Sequence, residues 1–351
     1  MNSQQTLAPL PETDELLPEN AAAETPEPET PQTETSQPDR YATPDWANIG
    51  WVVAIHLGLL AAPFYFTWTG LLTCVFLGWL TGCIGICMGY HRLLTHGSFQ
   101  TYSFMNRAIG LIGLLAGQGP PIQWVANHRK HHLHSDQPGD PHSPRDGRWW
   151  SHILWLVPYH SAEEIQATHQ RFAPDLLKDP FMRFLQKTFL FWHIGLGAIL
   201  YGIGYWLGGR ETAISMVVYG MFVRLFYVLH ATWFVNSATH IWGYRNYETT
   251  DDSKNLWWVA LMTYGEGWHN NHHKYQRMAM NGHKWWELNG SQASQICPAA
   301  TDCEELTDCD FLPLRSPRIA SGLSSVSLSC DFVSFGGRDI LLECFVSSHR
   351  R

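Results

Sequence analysis

The sequence predicts an all-α integral membrane protein, four transmembrane helices carrying a histidine-rich helical cap on the cytoplasmic side. Three observations predict it. No Asp, Glu, Lys or Arg occurs in the 46 residues between Asp45 and Arg92. A second apolar pair follows, from Lys187 to Arg210 and from Glu211 to about Val235, the latter interrupted only by Arg224. The 19 histidines, finally, are grouped, and the three main clusters sit at or beyond the ends of those stretches.

The N-terminal element is a tail. Over its 351 residues the chain has a net charge of -8, and its mean hydropathy of -0.17 resembles that of a soluble protein. Residues 1–40 hold nine acids and one base, so that stretch alone carries the whole imbalance. The rest is neutral, which excludes a broad basic surface for nucleic acid. From Ala23 to Asp39 there is no large apolar side chain. Such a segment cannot offset its ordering entropy by burial, so residues 1–44 are expected to be disordered. They lack the basic start and apolar centre of a secretory signal.

A membrane span needs about 20 apolar residues. The first uncharged run therefore predicts spans at 48–68 and 71–90, with Trp68-Thr69-Gly70 as the turn, and the second pair predicts spans at 188–207 and 212–235. Arg210 is the only base in the two hairpin loops, whereas Arg92, Arg107, Arg129, Lys130, Arg183, Lys187 and Arg245 lie in the long segments. By the positive-inside bias those segments and both termini are cytoplasmic. Ala108–Gly117 is apolar but too short to span and leads into Gly119-Pro120-Pro121, which predicts an interfacial helix. Arg224 would be costly against lipid and is expected to face protein or a tunnel. Cys74, Cys83 and Cys87 read as small buried hydrophobes, and no C-x-x-C pair suggests zinc or redox chemistry.

The clusters are His91 with His96, then His128, His131 and His132, then His269, His272 and His273. In the second and third, spacings of i, i+3 and i+4 put three imidazoles on one helix face, aimed at a common point. The i, i+5 spacing of His91 and His96 suits two rings reaching two adjacent metals. His240, just past the fourth predicted span, is one more candidate. Nine histidines exceed what one tetrahedral zinc can use, which points to two metals, and imidazole alone does not choose the element. All clusters share one side of the membrane only if two spans separate the second from the third. That is the arrangement predicted above.

In this order, HxxxxH, HRxHH and HxxHH around two pairs of spans, the sequence resembles the membrane fatty acid desaturases, nearest the stearoyl (Δ9) group. The resemblance covers roughly Trp46 to Trp286 and includes Ser135-Asp136, Asp140-Pro141-His142-Ser143, Thr232-Trp233-Phe234-Val235-Asn236 and Gly265-Glu266-Gly267-Trp268. It implies a di-iron centre held by His91, His96, His128, His131, His132, His240, His269, His272 and His273, with Asn236 meeting one metal through water. The implied reaction is O2-dependent removal of two hydrogens from a methylene pair, leaving a cis double bond and releasing water. No acid or base side chain attacks an alkane C–H, so the metal supplies the oxidant and the protein the aim.

The resemblance also implies a substrate tunnel lined by Gln118, Trp124, Thr232 and Trp233. Trp79 and Cys83, 12 and 8 residues before His91, would close its far end. Ala126 stands where acyl-CoA members carry a base for the coenzyme phosphates, which favours an acyl chain on a membrane lipid over acyl-CoA. No His-Pro-Gly-Gly haem motif is present, so electrons are expected from a separate donor such as ferredoxin or a cytochrome b5-like protein. Beyond Glu287 the resemblance stops. Residues 289–351 are Ser- and Cys-rich without helical periodicity, the pattern expected of a disrupted reading frame.

Other classes fit less well. A lipid hydroxylase or ketolase would share the histidine boxes but not the motifs around Asn236 and Gly265. A metal transporter or haem protein would need ligands within the spans. Only His56, His193 and His230 lie there, one per span and with no depth-matched pairing visible in sequence. A ferritin-like carboxylate site needs two E-x-x-H motifs, and only Glu266–His269 fits.

Overall fold

The computed structural model describes residues 43–290 and the backbone of 327–335 and 338–347. The predicted tail before residue 43 and the rest of the predicted C-terminal tail lie outside the described residues. Up to Gly290 the described unit is helical, as expected. The later segment departs from an all-α chain: Ser327–Phe335 (β1) and Arg338–Ser347 (β2) pair antiparallel, with a register shift at Asp331/Phe332. Its run Ser-Leu-Ser-Cys-Asp-Phe alternates polar with apolar residues, the period of a strand rather than a helix.

Helix α1 (Trp46–Leu59) starts where the Asp45 carboxylate accepts from the amides of Ala47 and Asn48, both at 3.0 Å. It stops before a 3₁₀ turn, Ala62–Phe64, that contains Pro63. Thr67 Oγ1 then accepts from Gly70 N at 3.0 Å and opens α2 (Trp68–Thr95). Trp68-Thr69-Gly70 is thus the first turn of a helix, not the predicted connection, because a threonine cap outweighs a glycine three residues later.

The second half of α2, Leu80–Thr95, winds as a π-helix. It packs against α3 (Ser103–Leu114) so closely that a Cβ on Gly85 would lie 2.8 Å from the Gly113 backbone, and only glycine permits the approach. Next comes α4 (Pro121–His134), whose first amides, Ile122 N and Gln123 N, are capped by Gln186 Oε1. Three shorter helices follow, α5 (Arg148–His152), α6 (Ala162–Phe172) and α7 (Pro180–Lys187).

Among the described residues, three helical stretches are long and apolar enough to cross a membrane: Trp46–Phe64, Trp68–Thr95 and Phe189–Ile241. The last comprises α8 (Phe189–Val217), a π-helical stretch (Val218–Val223) and α9 (Arg224–Ile241). It is bent back on itself. Gly209 has φ +72, open to glycine at no steric cost, and beyond it Gly204 meets the Ala213 backbone and Leu200 meets Gly220. Two short helices, α10 (Trp257–Met262) and α11 (His269–Lys274), complete the unit.

Arg224 is fully buried in protein. Its Nε donates to Gly220 O, and Nη1 donates to Thr81 Oγ1 and Leu115 O. It thereby ties α9 to α2 and to the last carbonyls of α3. His56 and His230 do pair, contrary to the sequence reading: their Nε2 atoms are 3.1 Å apart, and His152 Nε2 lies 3.1 Å from His230 Nδ1. Helix rotation set that contact, and the sequence carries no trace of it.

Candidate metal centre

Nine imidazoles from α2, α4, α9, α11 and the turn after α2 converge in two groups. Each group keeps its ligand atoms within 4.8 Å of one another. One holds His91, His96, His128, His132 and His272; the other holds His131, His240, His269 and His273. The helices do not aim at a common point, as the i, i+3, i+4 pattern suggested. In α4 the outer pair, His128 and His132, joins the five-histidine group and His131 joins the other. In α11 the assignment reverses, with His269 and His273 in the four-histidine group and His272 in the five. Residues i and i+4 overlap on a helix, while i+3 sits to the other side of the stripe.

His91 and His96 join the same group rather than two metals. The π-helical winding explains this: His96 N donates to His91 O at 3.2 Å, an i to i+5 bond, and it brings residues five apart onto one face with ring centroids 4.9 Å apart.

Carboxylates hold the outer nitrogens. Glu266 takes His91 Nδ1 at 2.7 Å, Asp140 takes His131 Nδ1 at 2.9 Å, and Asp136 takes His240 Nδ1 at 2.7 Å. Asp251 holds His273 Nδ1. A carboxylate at Nδ1 favours the tautomer with its proton there, which leaves Nε2 as a lone pair facing inward. Asp136 reaches His240 from a left-handed backbone (φ 56), which Asp tolerates better than most residues.

Six of the nine imidazoles are driven toward the neutral form, the form that ligates. Burial, then the neighbouring His91, drives His96 down to about 2, and burial drives His128, His132, His269 and His272 well below their ordinary value. His273 falls to about 4, with burial outweighing Asp251. His131 goes the other way: burial lowers it, but Asp140 lifts it above the ordinary value. Burial alone would raise Glu266, yet Arg92 and His91 hold it at about 2.

The donor set fits metal ions. His272 Nε2 lies 2.9 Å from His91 Nε2 and 3.0 Å from His132 Nε2, which is 3.1 Å from His128 Nε2. A single N–H on His272 would have to serve two neighbours at once. A shared cation satisfies every lone pair instead. The Nε2 atoms of His96, His131 and His273 are buried without a hydrogen-bond partner, as inward-facing ligand atoms would be. Imidazole sets of this kind suit iron, zinc, copper or nickel, and five nitrogens exceed a tetrahedral zinc site.

A cavity open on one side runs from these groups between α2, α9 and α10. His91, His128, His269 and Asn236 lie at its inner wall, and Gly82, Ile86 and Cys87 line the α2 side. Trp124, stacked 4.9 Å from His128, and Thr232 line it. Gln118 is one bond behind, donating to Thr232 Oγ1 at 2.7 Å and accepting from Trp124 Nε1.

Three expected lining residues face elsewhere. Trp233 is buried against His152 and His230, because a residue adjacent to Thr232 on a helix points about 100° away. Trp79 is 44% exposed with its ring near Phe76, and Cys83 is buried off the cavity. An α-helical count back from His91 misplaces both, since the π-helix runs four to five residues per repeat through Gly82, Ile86/Cys87 and His91. Tyr227 and Tyr264, which line the cavity, were not visible from sequence.

The four carboxylates were missed as a set. Asp136, Asp140 and Glu266 sit beside histidine boxes, and a buried acid near a ligand histidine is the signal that could have found them. Asp251 has no local signal.

A family model described as fatty acid desaturase matches residues 66–288. The chain is 47% identical over 255 residues to the sn-2 palmitoyl-lipid 9-desaturase of Nostoc sp. (strain 36), covering 72% of this chain and 86% of that protein. It is 48% identical over 246 residues to the sn-1 stearoyl-lipid 9-desaturase of Anabaena variabilis, covering 70% and 86%. To the icosanoyl-CoA 5-desaturase of Limnanthes douglasii it is 38% identical over 245 residues, covering 70% and 67%.

Proposed function

The chain belongs to the fatty acid desaturase family, and on that premise we propose that it is a membrane acyl-lipid 9-desaturase. It removes two hydrogens from adjacent methylenes of a saturated acyl chain carried on a membrane lipid, leaving a cis double bond, with O2 as co-substrate. One observation carries the reading: a cavity whose inner wall is formed by imidazoles of both histidine groups. Relatives at 47% and 48% identity are named for lipid-borne chains, and Ala126 offers no charge to a coenzyme phosphate. Both favour a lipid carrier over acyl-CoA.

His91, His96, His128, His132 and His272 would hold one iron, and His131, His240, His269 and His273 the other, with Asn236 reaching one of them through water. When bound, the two irons supply the O2 activation and oxidising power that no side chain has for an unactivated C–H bond. The chain supplies everything else. Glu266, Asp140, Asp136 and Asp251 keep their imidazoles in the ligating tautomer, and Trp124 and Thr232 shape the wall beside the reacting carbons. Ile86, Val228 and Ala231 make an apolar surface that excludes water from the acyl chain.

The reading places four spans in the bilayer, with the bent stretch Phe189–Ile241 supplying two, and both termini and the metal centre cytoplasmic. The Lys and Arg distribution supports that orientation. Electrons come from a separate carrier such as ferredoxin or a cytochrome b5-like protein.

The test is expression in a bacterium lacking desaturases, with gas chromatography of its lipids. The wild type is expected to yield cis-Δ9 acyl chains and two irons per chain, and His131→Ala neither. Hydroxylated acyl products, or full unsaturation from His131→Ala, would overturn the reading.

A further inference from the structure

Glu287 is 14 residues beyond the last histidine of α11 and is 3% exposed. Among the described residues it makes no hydrogen bond to any of the nine imidazoles. It accepts instead from five donors. Tyr244 OH and Asn246 Nδ2 reach Oε1, both at 2.7 Å. Asn271 Nδ2 (2.7 Å), His283 N (2.6 Å) and Lys284 N (3.1 Å) reach Oε2.

Asn271 is the informative partner, because it sits within α11 between His269 and His272. All its polar positions are occupied. Nδ2 donates to Glu287 and to Asn281 O, and Oδ1 accepts from Asn246 Nδ2 and Asn255 Nδ2. Asn255 Oδ1 in turn accepts from the amides of Asn270 and Asn271. A helix of six residues has almost no stability of its own, so its rotation is set by what grips it. The grip on the back of α11 is this buried amide network, and Glu287 is the carboxylate in it that Asn271 bonds directly.

We propose that Glu287 is a positioning residue for both metal groups: acting through Asn271, it fixes the rotation of α11 that sends His272 to one group and His269 and His273 to the other. The proposal rests on the metal-centre reading above. Only a carboxylate fits the position. A glutamine amide, in either orientation, would turn its NH2 toward at least two of the five donors. Aspartate keeps the charge and the acceptors but falls one methylene short.

The experiment uses full-length, iron-loaded protein in detergent and follows iron loss to a chelator from folded material, alongside helix content by circular dichroism. Removing an outer partner of a metal ligand weakens metal binding by about 10–100-fold. Glu287→Gln is expected to release iron faster by a factor in that range with helix content unchanged, and Glu287→Asp is expected to recover part of the difference. Asn246→Ala keeps the carboxylate but removes the donor that bridges Asn271 and Glu287. It should release iron a few-fold faster, and it decides the matter if Glu287→Gln does not fold. Wild-type release from either folded variant would overturn the proposal, as would a Glu287→Asp no better than Glu287→Gln. Wild-type protein that binds two irons but forms no double bond would overturn the assigned reaction alone, since the release ratio does not depend on turnover. Wild-type protein that binds no iron would overturn both.

Discussion

Replacing Asp140 by Asn tests whether the carboxylates set the metal centre's tautomers. The Asp140 side chain is fully buried. Oδ1 accepts from His131 Nδ1 at 2.9 Å and from His142 N at 3.1 Å, and Oδ2 accepts from Asp136 N at 2.9 Å. Asparagine offers one oxygen. Turned toward His131, it leaves an NH2 facing the Asp136 amide; turned the other way, the NH2 faces both His131 and His142. The first orientation is cheaper, yet it strands one buried N–H, at about 1–3 kcal/mol. It also replaces a charge-assisted bond to His131 with a neutral one of about half the strength. Outer partners of this kind are worth about 10–100-fold in metal affinity, or about 1.4–2.8 kcal/mol. The loss should fall on one site only, because His131 belongs to the four-histidine group and Asp140 bonds to none of the five. The assay is titration of chelator-stripped protein with ferrous iron. One binding step should weaken by that factor while the other holds. Two steps weakened equally would mean general collapse, and two unmoved steps would refute the tautomer argument.

Two further perturbations separate the cavity and the scaffold from the metals. A Cβ on Gly82 would stand 3.2 Å from Tyr264 Cε2 and 3.9 Å from Val228 Cγ2, so the side chain in Gly82→Phe must cross the cavity. Iron content should be unchanged while unsaturated acyl products fall at least about ten-fold, no less than one missing methylene costs in an apolar pocket; undiminished product by gas chromatography would show that the chain lies elsewhere. Arg224→Leu strips the buried Leu115 and Gly220 carbonyls of their donor, with an expected loss of about 1–3 kcal/mol for each group left unsatisfied. Hydrogen exchange at the end of α3 should rise before global unfolding, and protection equal to wild type would refute the tie.

The histidine set was legible because helical spacing is a local property. His128, His131 and His132 declare one face of a helix, and so do His269, His272 and His273, without any knowledge of what they meet. How the nine divide was not legible. That division depends on the rotation of α4 against α11 and on π-helical winding in α2, and neither leaves a mark in hydrophobic pattern. The same winding displaced Trp79 and Cys83 from the expected wall. The uncharged runs located the apolar helices, but caps and prolines moved their ends, as at Thr67 and Pro63. Long-range partners were invisible. Asp136 meets His240 across 104 positions, and His56 meets His230 across 174.

The carboxylates are distributed unevenly, and the imbalance bears on how two sites of different size can coexist. Among the five imidazoles only His91 has an acid on its outer nitrogen, namely Glu266. Among the four, His131, His240 and His273 each have one, from Asp140, Asp136 and Asp251. An acid behind an imidazole raises its basicity toward a metal. The group with fewer nitrogens therefore has the stronger ones, and the group with more has the weaker. The four-histidine group is also the more enclosed, all four rings being buried, whereas His96, His128 and His132 of the other are half-buried. Three nearby carboxylates offset the charge of an ion held away from water, where an uncompensated charge would be costly. Because α4 and α11 each contribute to both groups with opposite spacing, any shift of one helix unbalances the two sites together. This is the reason a grip as distant as Glu287 can matter to both.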